Sequence, residues 1–159
     1  MRPRNFKRVA QSGQSLVEVA LMTPVLVAML LGAIELGRYA YLSILVGNAA
    51  HAGAMYGSQS LTKSTDQPGI ILAADNDFQN NGQSVSSLAV SSSDTCGCDS
   101  QGAFLPQSCG SQPACGPSSH WAEMVSVTAT ATFRSLFKYP WIPRTVTVSR
   151  TSTMRLAQF

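Results

Sequence analysis

The chain has 159 residues, enough for one small domain beside a membrane segment and too few for a roomy two-domain enzyme. Charged residues make up 12 % of it, about half the share of an ordinary soluble protein. The formal charge of +3 is local: Arg2, Arg4, Lys7 and Arg8 carry it, and without residues 1–13 there are 7 basic against 8 acidic side chains. The basic balance belongs to this leader, so no nucleic-acid partner is expected.

Residues 16–34 read LVEVALMTPVLVAMLLGAI, with Glu18 as the one charge. As a helix this run is roughly 28 Å long, enough to cross the hydrocarbon layer of a bilayer. Four basic residues precede it, and Glu35 and Arg38 cancel just after it, so the positive-inside bias places the amino terminus in the cytoplasm. A secretory signal peptide would need a shorter apolar region, and the small-x-small sequence Ala50-His51-Ala52 stands well beyond Glu35 and Arg38. A plain single-pass anchor fits the length but leaves Glu18 without a reason, since a carboxylate in an apolar segment is expensive. Pro24 predicts a bend, which membranes tolerate.

Gly13-Gln14-Ser15-Leu16-Val17-Glu18 closes the basic leader with glycine and puts an acid at the fifth position after that glycine. This resembles the type IV prepilin processing site. The resemblance implies a prepilin peptidase that cuts between Gly13 and Gln14, on the cytoplasmic side, and an apolar helix that stays attached for assembly. Cutting would expose an ammonium at Gln14, and Glu18 of a neighbouring subunit would neutralise it. An ion pair in an apolar setting costs several kcal/mol unless matched, so Glu18 would favour docking in register.

Beyond the span, Gly32-Ala33-Ile34-Glu35-Leu36-Gly37-Arg38-Tyr39 and then Asn48-Ala49-Ala50-His51-Ala52-Gly53-Ala54 resemble the TadE family. Its members carry an E-F-A-type start, an I-E-x-G-R stretch and an N-A-A-R-E-G-A-R run in the same order. The run Thr145-Val146-Thr147-Val148-Ser149-Arg150-Thr151-Ser152-Thr153-Met154-Arg155 is similar to that family's closing strand. Val19 stands here for the usual Phe, and His51 and Ala52 for the basic and acidic members of the third motif. The resemblance implies a minor pilin or pseudopilin of a tight-adherence (Tad) pilus, contributing to adhesion or secretion. The sequence holds no catalytic constellation, so neither an enzyme nor a cofactor is expected. The implied partners are a prepilin peptidase, the inner-membrane assembly platform, sister pilins or pseudopilins, and membrane lipid. The implied location is the cytoplasmic membrane, crossed once, with the carboxyl-terminal part outside. A non-polymerising, membrane-anchored periplasmic binding protein would share the span and need neither Gly13 nor Glu18.

Glu35 and Arg38 are three apart and so can pair on one helix face. Tyr39, Leu42, Leu45, Val46 and Ala49 continue an apolar face at helical spacing, with Gly47, Ala50, Gly53, Ala54 and Gly57 allowing close approach. Gly57-Ser58 predicts the end of the helix, so the expected organisation is a leader over 1–13, a long helix over 14–57 and an outer domain over 58–159. Asp66-Gln67-Pro68 predicts the start of a second helix and Asn80-Asn81-Gly82 its stop. Residues 84–90 and 124–133 predict strands, the latter with Val125, Val127, Ala129, Ala131 and Phe133 on one face and Ser or Thr on the other. Tyr139-Pro140-Trp141-Ile142-Pro143 predicts a break before a last strand antiparallel to it. The expected fold is α+β, a long helix followed by a short helix and a small antiparallel sheet.

Residues 91–119, rich in Ser, Gly, Gln and Pro, predict a loop that holds Cys96, Cys98, Cys109 and Cys115. Outside the cytoplasm an even count implies two disulfides, and three pairings exist. A Cys96–Cys98 bridge across one residue is strained, which favours the other two. A four-thiolate zinc site is the rival, although C-x-C with these spacings lacks paired C-x2-C knuckles. His51 and His120 read as packing or surface residues, and Asp75 with Asp77 and Asp94 with Asp99 are too sparse for a calcium loop.

Overall fold

A computed structural model describes residues 12–82, 87–100, 103–109, 115–138 and 143–156. The basic leader residues, the side chain of Gln14, the first part of the expected strand over 84–90 and the Tyr139-to-Ile142 break lie outside the described residues. The chain forms an α+β fold with two compact units, which meet in sequence at Arg38 and Tyr39. One long helix, α1 (Ser12–Gly57), belongs partly to each.

In the first unit α1 exposes its apolar side chains all round. Leu16, Leu21, Met29 and Leu36 are each about 70 % exposed, and no face of the segment is buried. Such a helix needs an apolar surround or other helices, because exposure to water costs roughly 25 cal/mol for each Å² left bare. Among the described residues it is the one helix long and apolar enough to cross a membrane. Pro24 sits inside it, and one residue earlier the Thr23 hydroxyl donates to the Val19 carbonyl at 2.7 Å.

The second unit packs the rest of α1, α2 (Leu61–Ser64) and α3 (Gln67–Asn80) on an antiparallel sheet of β1 (Leu88–Ser100), β2 (Ala103–Gln107), β3 (His120–Arg134) and β4 (Thr145–Arg155). The strand order is β2-β1-β3-β4. Ends of the helices follow local chemistry. Asp66 caps α3, accepting from the Gly69 N–H at 3.2 Å, Pro68 needs no donor in the first turn, and Gly82 leaves with φ +77°, a left-handed conformation that costs glycine little. Ser60 caps α2, a one-turn element that no pattern in the sequence announces.

The inward residues of β3 alternate as their sequence predicts, and all of Val125, Val127, Ala129, Ala131 and Phe133 are buried. Leu45, Val46, Ala49, Ala50 and Ala54 of α1 meet them, with Ile70, Ala74 and Phe78 of α3. Gly53 and Gly57 make that approach possible: a methyl group there would stand 3.1 Å from Val127 and Val125 respectively, and close to Ile70. On the outer face the Ser and Thr hydroxyls of β3 and β4 pair across the strands, Ser126 with Thr153 and Thr128 with Thr151 at 2.8 Å, and Thr130 with Ser149 at 3.3 Å.

The loop expected over 91–119 is largely strand. β1 runs unbroken against β3 from Leu88 opposite Ala131 to Asp99 opposite His120, and β2 pairs its far edge from Cys96 opposite Gln107 to Ser100 opposite Ala103. Ser, Gly and Asp are poor strand formers in isolation, but pairing with β3, joined by β2 from Cys96 to Ser100, supplies the hydrogen bonds that override this preference. For the same reason β3 begins at His120 rather than near Met124.

Candidate functional site

Gly13 lies within α1 with open space around it, and Glu18 is exposed on the same helix. Among the described residues none pairs with Glu18. Glu35 and Arg38 pair at 3.1 Å on one face of α1, the acid more covered than the guanidinium. Gly13 and Glu18 thus stand at one end of the apolar run and the Glu35–Arg38 pair at the other, an arrangement suited to holding a helix in a bilayer between two polar margins.

All four cysteines form disulfides, Cys96 with Cys109 and Cys98 with Cys115. Cys96 and Cys98 sit on the inward face of β1, opposite Glu123 and Trp121 of β3. The bridges tie the chain beyond β2 back to β1, and they leave no thiolate for zinc. Among the described residues there is no group of three or more His, Cys, Asp and Glu side chains able to hold a metal.

Beside the bridges, Asp94 and Glu123 share the inward face. Glu123 is buried, and one oxygen of Asp94 is buried without a hydrogen-bond partner. Burial raises both carboxyl pKa values, and the charge of Asp94 raises that of Glu123 further. On the outer side Arg155 donates to Asp99 at 3.1 Å, with His120 Nε2 3.9 Å from the same oxygen. His51 is exposed on α1.

Three ties went unread in the sequence. Tyr56 OH donates to Asp66 at 2.7 Å, and that bond, followed by desolvation and the carboxylate charge, raises the phenol pKa. The Lys63 ammonium lies 4.8 Å from the centre of the Tyr56 ring. Arg150 donates through Nε at 3.0 Å and through Nη2 to the buried Ser43 hydroxyl, fastening β4 to α1. Its signal was present: an arginine at an inward position of an alternating strand, after Val146 and Val148, needs a polar partner across the core.

Residues 13–55 match the family model described as TadE-like protein. The amino-terminal segment is TadE-like. The match takes in Gly13, Glu18 and the Glu35–Arg38 pair and ends before the sheet, so the likeness seen in Thr145–Arg155 is no part of it. No curated protein and no solved structure matches the chain. A TadE-like segment on an exposed apolar helix points to a protein associated with the Tad pilus.

Proposed function

We propose that the chain is a minor pilin or pseudopilin of a Tad pilus, processed after Gly13 and assembled through the apolar helix beyond it. The observation that carries this reading is the TadE-like match over 13–55, a helix whose apolar side chains are bare on every side and whose Glu18 has no partner among the described residues of the chain. A prepilin peptidase removes the leader at the cytoplasmic margin, and the assembly platform lifts the helix out of the bilayer against sister subunits. Glu18 then meets the new amine of a neighbour's Gln14, where the low dielectric makes a matched pair strongly preferred over an unmatched one. The disulfide-bonded unit, carried outside, offers its surface for adhesion or secretion.

The test tracks the chain in cells that make the pilus. The wild-type chain is expected in the sheared pilus fraction together with its sister pilins. Glu18→Ala is expected to be cut normally, to remain in the membrane, and to drop from the sheared fraction by tenfold or more, as about 1.4 kcal/mol of lost pairing requires. A wild-type chain that never leaves the membrane, with Glu18→Ala behaving identically, would contradict assembly and favour a static membrane-anchored binding protein.

A further inference from the structure

β3 and β4 are joined through residues 135–144, and one aromatic contact places the described residues at its start, 135–138. Phe133, the last inward residue of β3, meets Tyr39 edge to face with ring centroids 5.5 Å apart. Tyr39 directly follows Arg38, where the apolar segment of α1 ends. The described start of the connection, directly after Phe133, therefore stands beside Tyr39, the first residue of the second unit.

Its chemistry is unlike that of the rest of the unit. From residue 124 to the carboxyl terminus there are five basic side chains and no Asp or Glu. Arg155 pairs with Asp99 and Arg150 with Ser43, which leaves Arg134, Lys138 and Arg144 at the connection. Among the described residues no carboxylate pairs with these three. The Ser135 N–H donates to the Arg144 carbonyl at 3.0 Å, so Arg134 and Arg144 flank one neck, and an open depression there is lined by Arg134, Ser135, Arg144 and Thr145. Between the cations Leu136 and Phe137 are 59 % and 40 % exposed.

We propose that the described residues flanking this connection, Arg134 to Lys138 and Arg144, are a contact for anionic phospholipid. Arg134, Lys138 and Arg144 bind headgroup phosphates of the leaflet that the chain leaves at Arg38, while Leu136 and Phe137 reach the acyl boundary. The proposal rests on the reading that residues 16–34 span a membrane. Cations ringing exposed apolar and aromatic side chains are the pattern of interfacial anchoring, in which phosphate attraction adds to apolar burial. A second copy of the same face is disfavoured, because it would set like charges against like with no acid nearby to neutralise them. The contact would hold the unit on the bilayer until the subunit is extracted.

The test is amide hydrogen exchange on the full-length oxidised chain, one copy per lipid nanodisc, in phosphatidylcholine alone or with phosphatidylglycerol. Exchange over 135–138 and 144–146 is expected to slow at least about tenfold in the anionic discs, and added salt is expected to reverse this. Arg134→Gln with Lys138→Gln and Arg144→Gln removes the difference while amides 127–131 of β3 stay protected. The salt arm needs no variant and decides the matter if the triple variant fails to fold. Equal exchange in both discs, with 16–34 protected, would overturn the lipid contact alone. Free exchange through 16–34 would overturn the anchor reading and the lipid contact with it. Protection that rises with copies per disc rather than with lipid charge would assign the face to a second copy and overturn the proposal.

Discussion

The apolar residues before Arg38 and those of the unit after it meet opposite surroundings. Leu21 and Leu26 of the first are left bare on a helix that a bilayer or a bundle of like helices can cover. Val46, Phe78 and Val127 of the second are fully buried by a sheet and helices of the same chain. The first segment depends on its surroundings for stability. The second carries its own core and two bridges, and is built to keep its shape when those surroundings change. The proposed passage from membrane to filament would need this division.

The contrast can be broken hardest at Phe78. Phe78→Ala leaves a cavity under the sheet and is expected to destabilise the second unit by about 3–5 kcal/mol, read by denaturant unfolding in detergent, with the helicity of 16–34 unchanged. Replacing Cys98 and Cys115 together by Ser is expected to cost about 2–4 kcal/mol by the same measurement, the Cys96–Cys109 bridge remaining. Gly57→Val, which presses on Val125 and Ile70, is expected to cost about 1–3 kcal/mol, whereas Gly32→Val in the open part of α1 leaves unfolding of the second unit unaltered.

Acid sharpens the comparison. Asp94 and Glu123 hold their protons more tightly folded than unfolded, because burial raises both. Their contribution is full below the ordinary carboxylate pKa of about 4 and is lost as pH rises through the raised folded values. The melting temperature should therefore climb as pH falls from neutral toward that range, and Glu123→Gln should flatten the slope. The smallest effect belongs to the Glu35–Arg38 pair: Glu35→Ala is expected to change helix stability by about 0.3 kcal/mol, the scale of an i, i+3 pair whose Arg38 side chain is 42 % exposed.

Local rules made much of this legible. Gly57-Ser58, Asp66 with Pro68, and Asn81-Gly82 mark helix ends through capping and backbone freedom, which a sequence displays directly. The alternation of Val125 through Phe133 displays the sheet's inward face in the same way. The strand character of residues 91–100 is not local: Ser91-Ser92-Ser93 become strand only because β3 flanks them, and Cys96-Gly97-Cys98 because β3 and β2 do. Cysteine pairing likewise waited for β1 to place Cys96 and Cys98 on one face. The connection from Arg134 to Arg144 reads first as a proline break, and its cations gain meaning only from the Phe133–Tyr39 contact. Of the site, Gly13, Glu18, Glu35 and Arg38 were legible as a motif, while the Asp94–Glu123 pair and the Arg150–Ser43 tie required the fold.

The central claim is that the helix is an assembly element released from its leader. It is tested most directly by the intact mass of the chain extracted from native membranes, in cells with and without the prepilin peptidase. The account predicts an amino terminus at Gln14 only where the peptidase is present. A chain that begins at Met1 in both, or one that begins near Gly53, would contradict it.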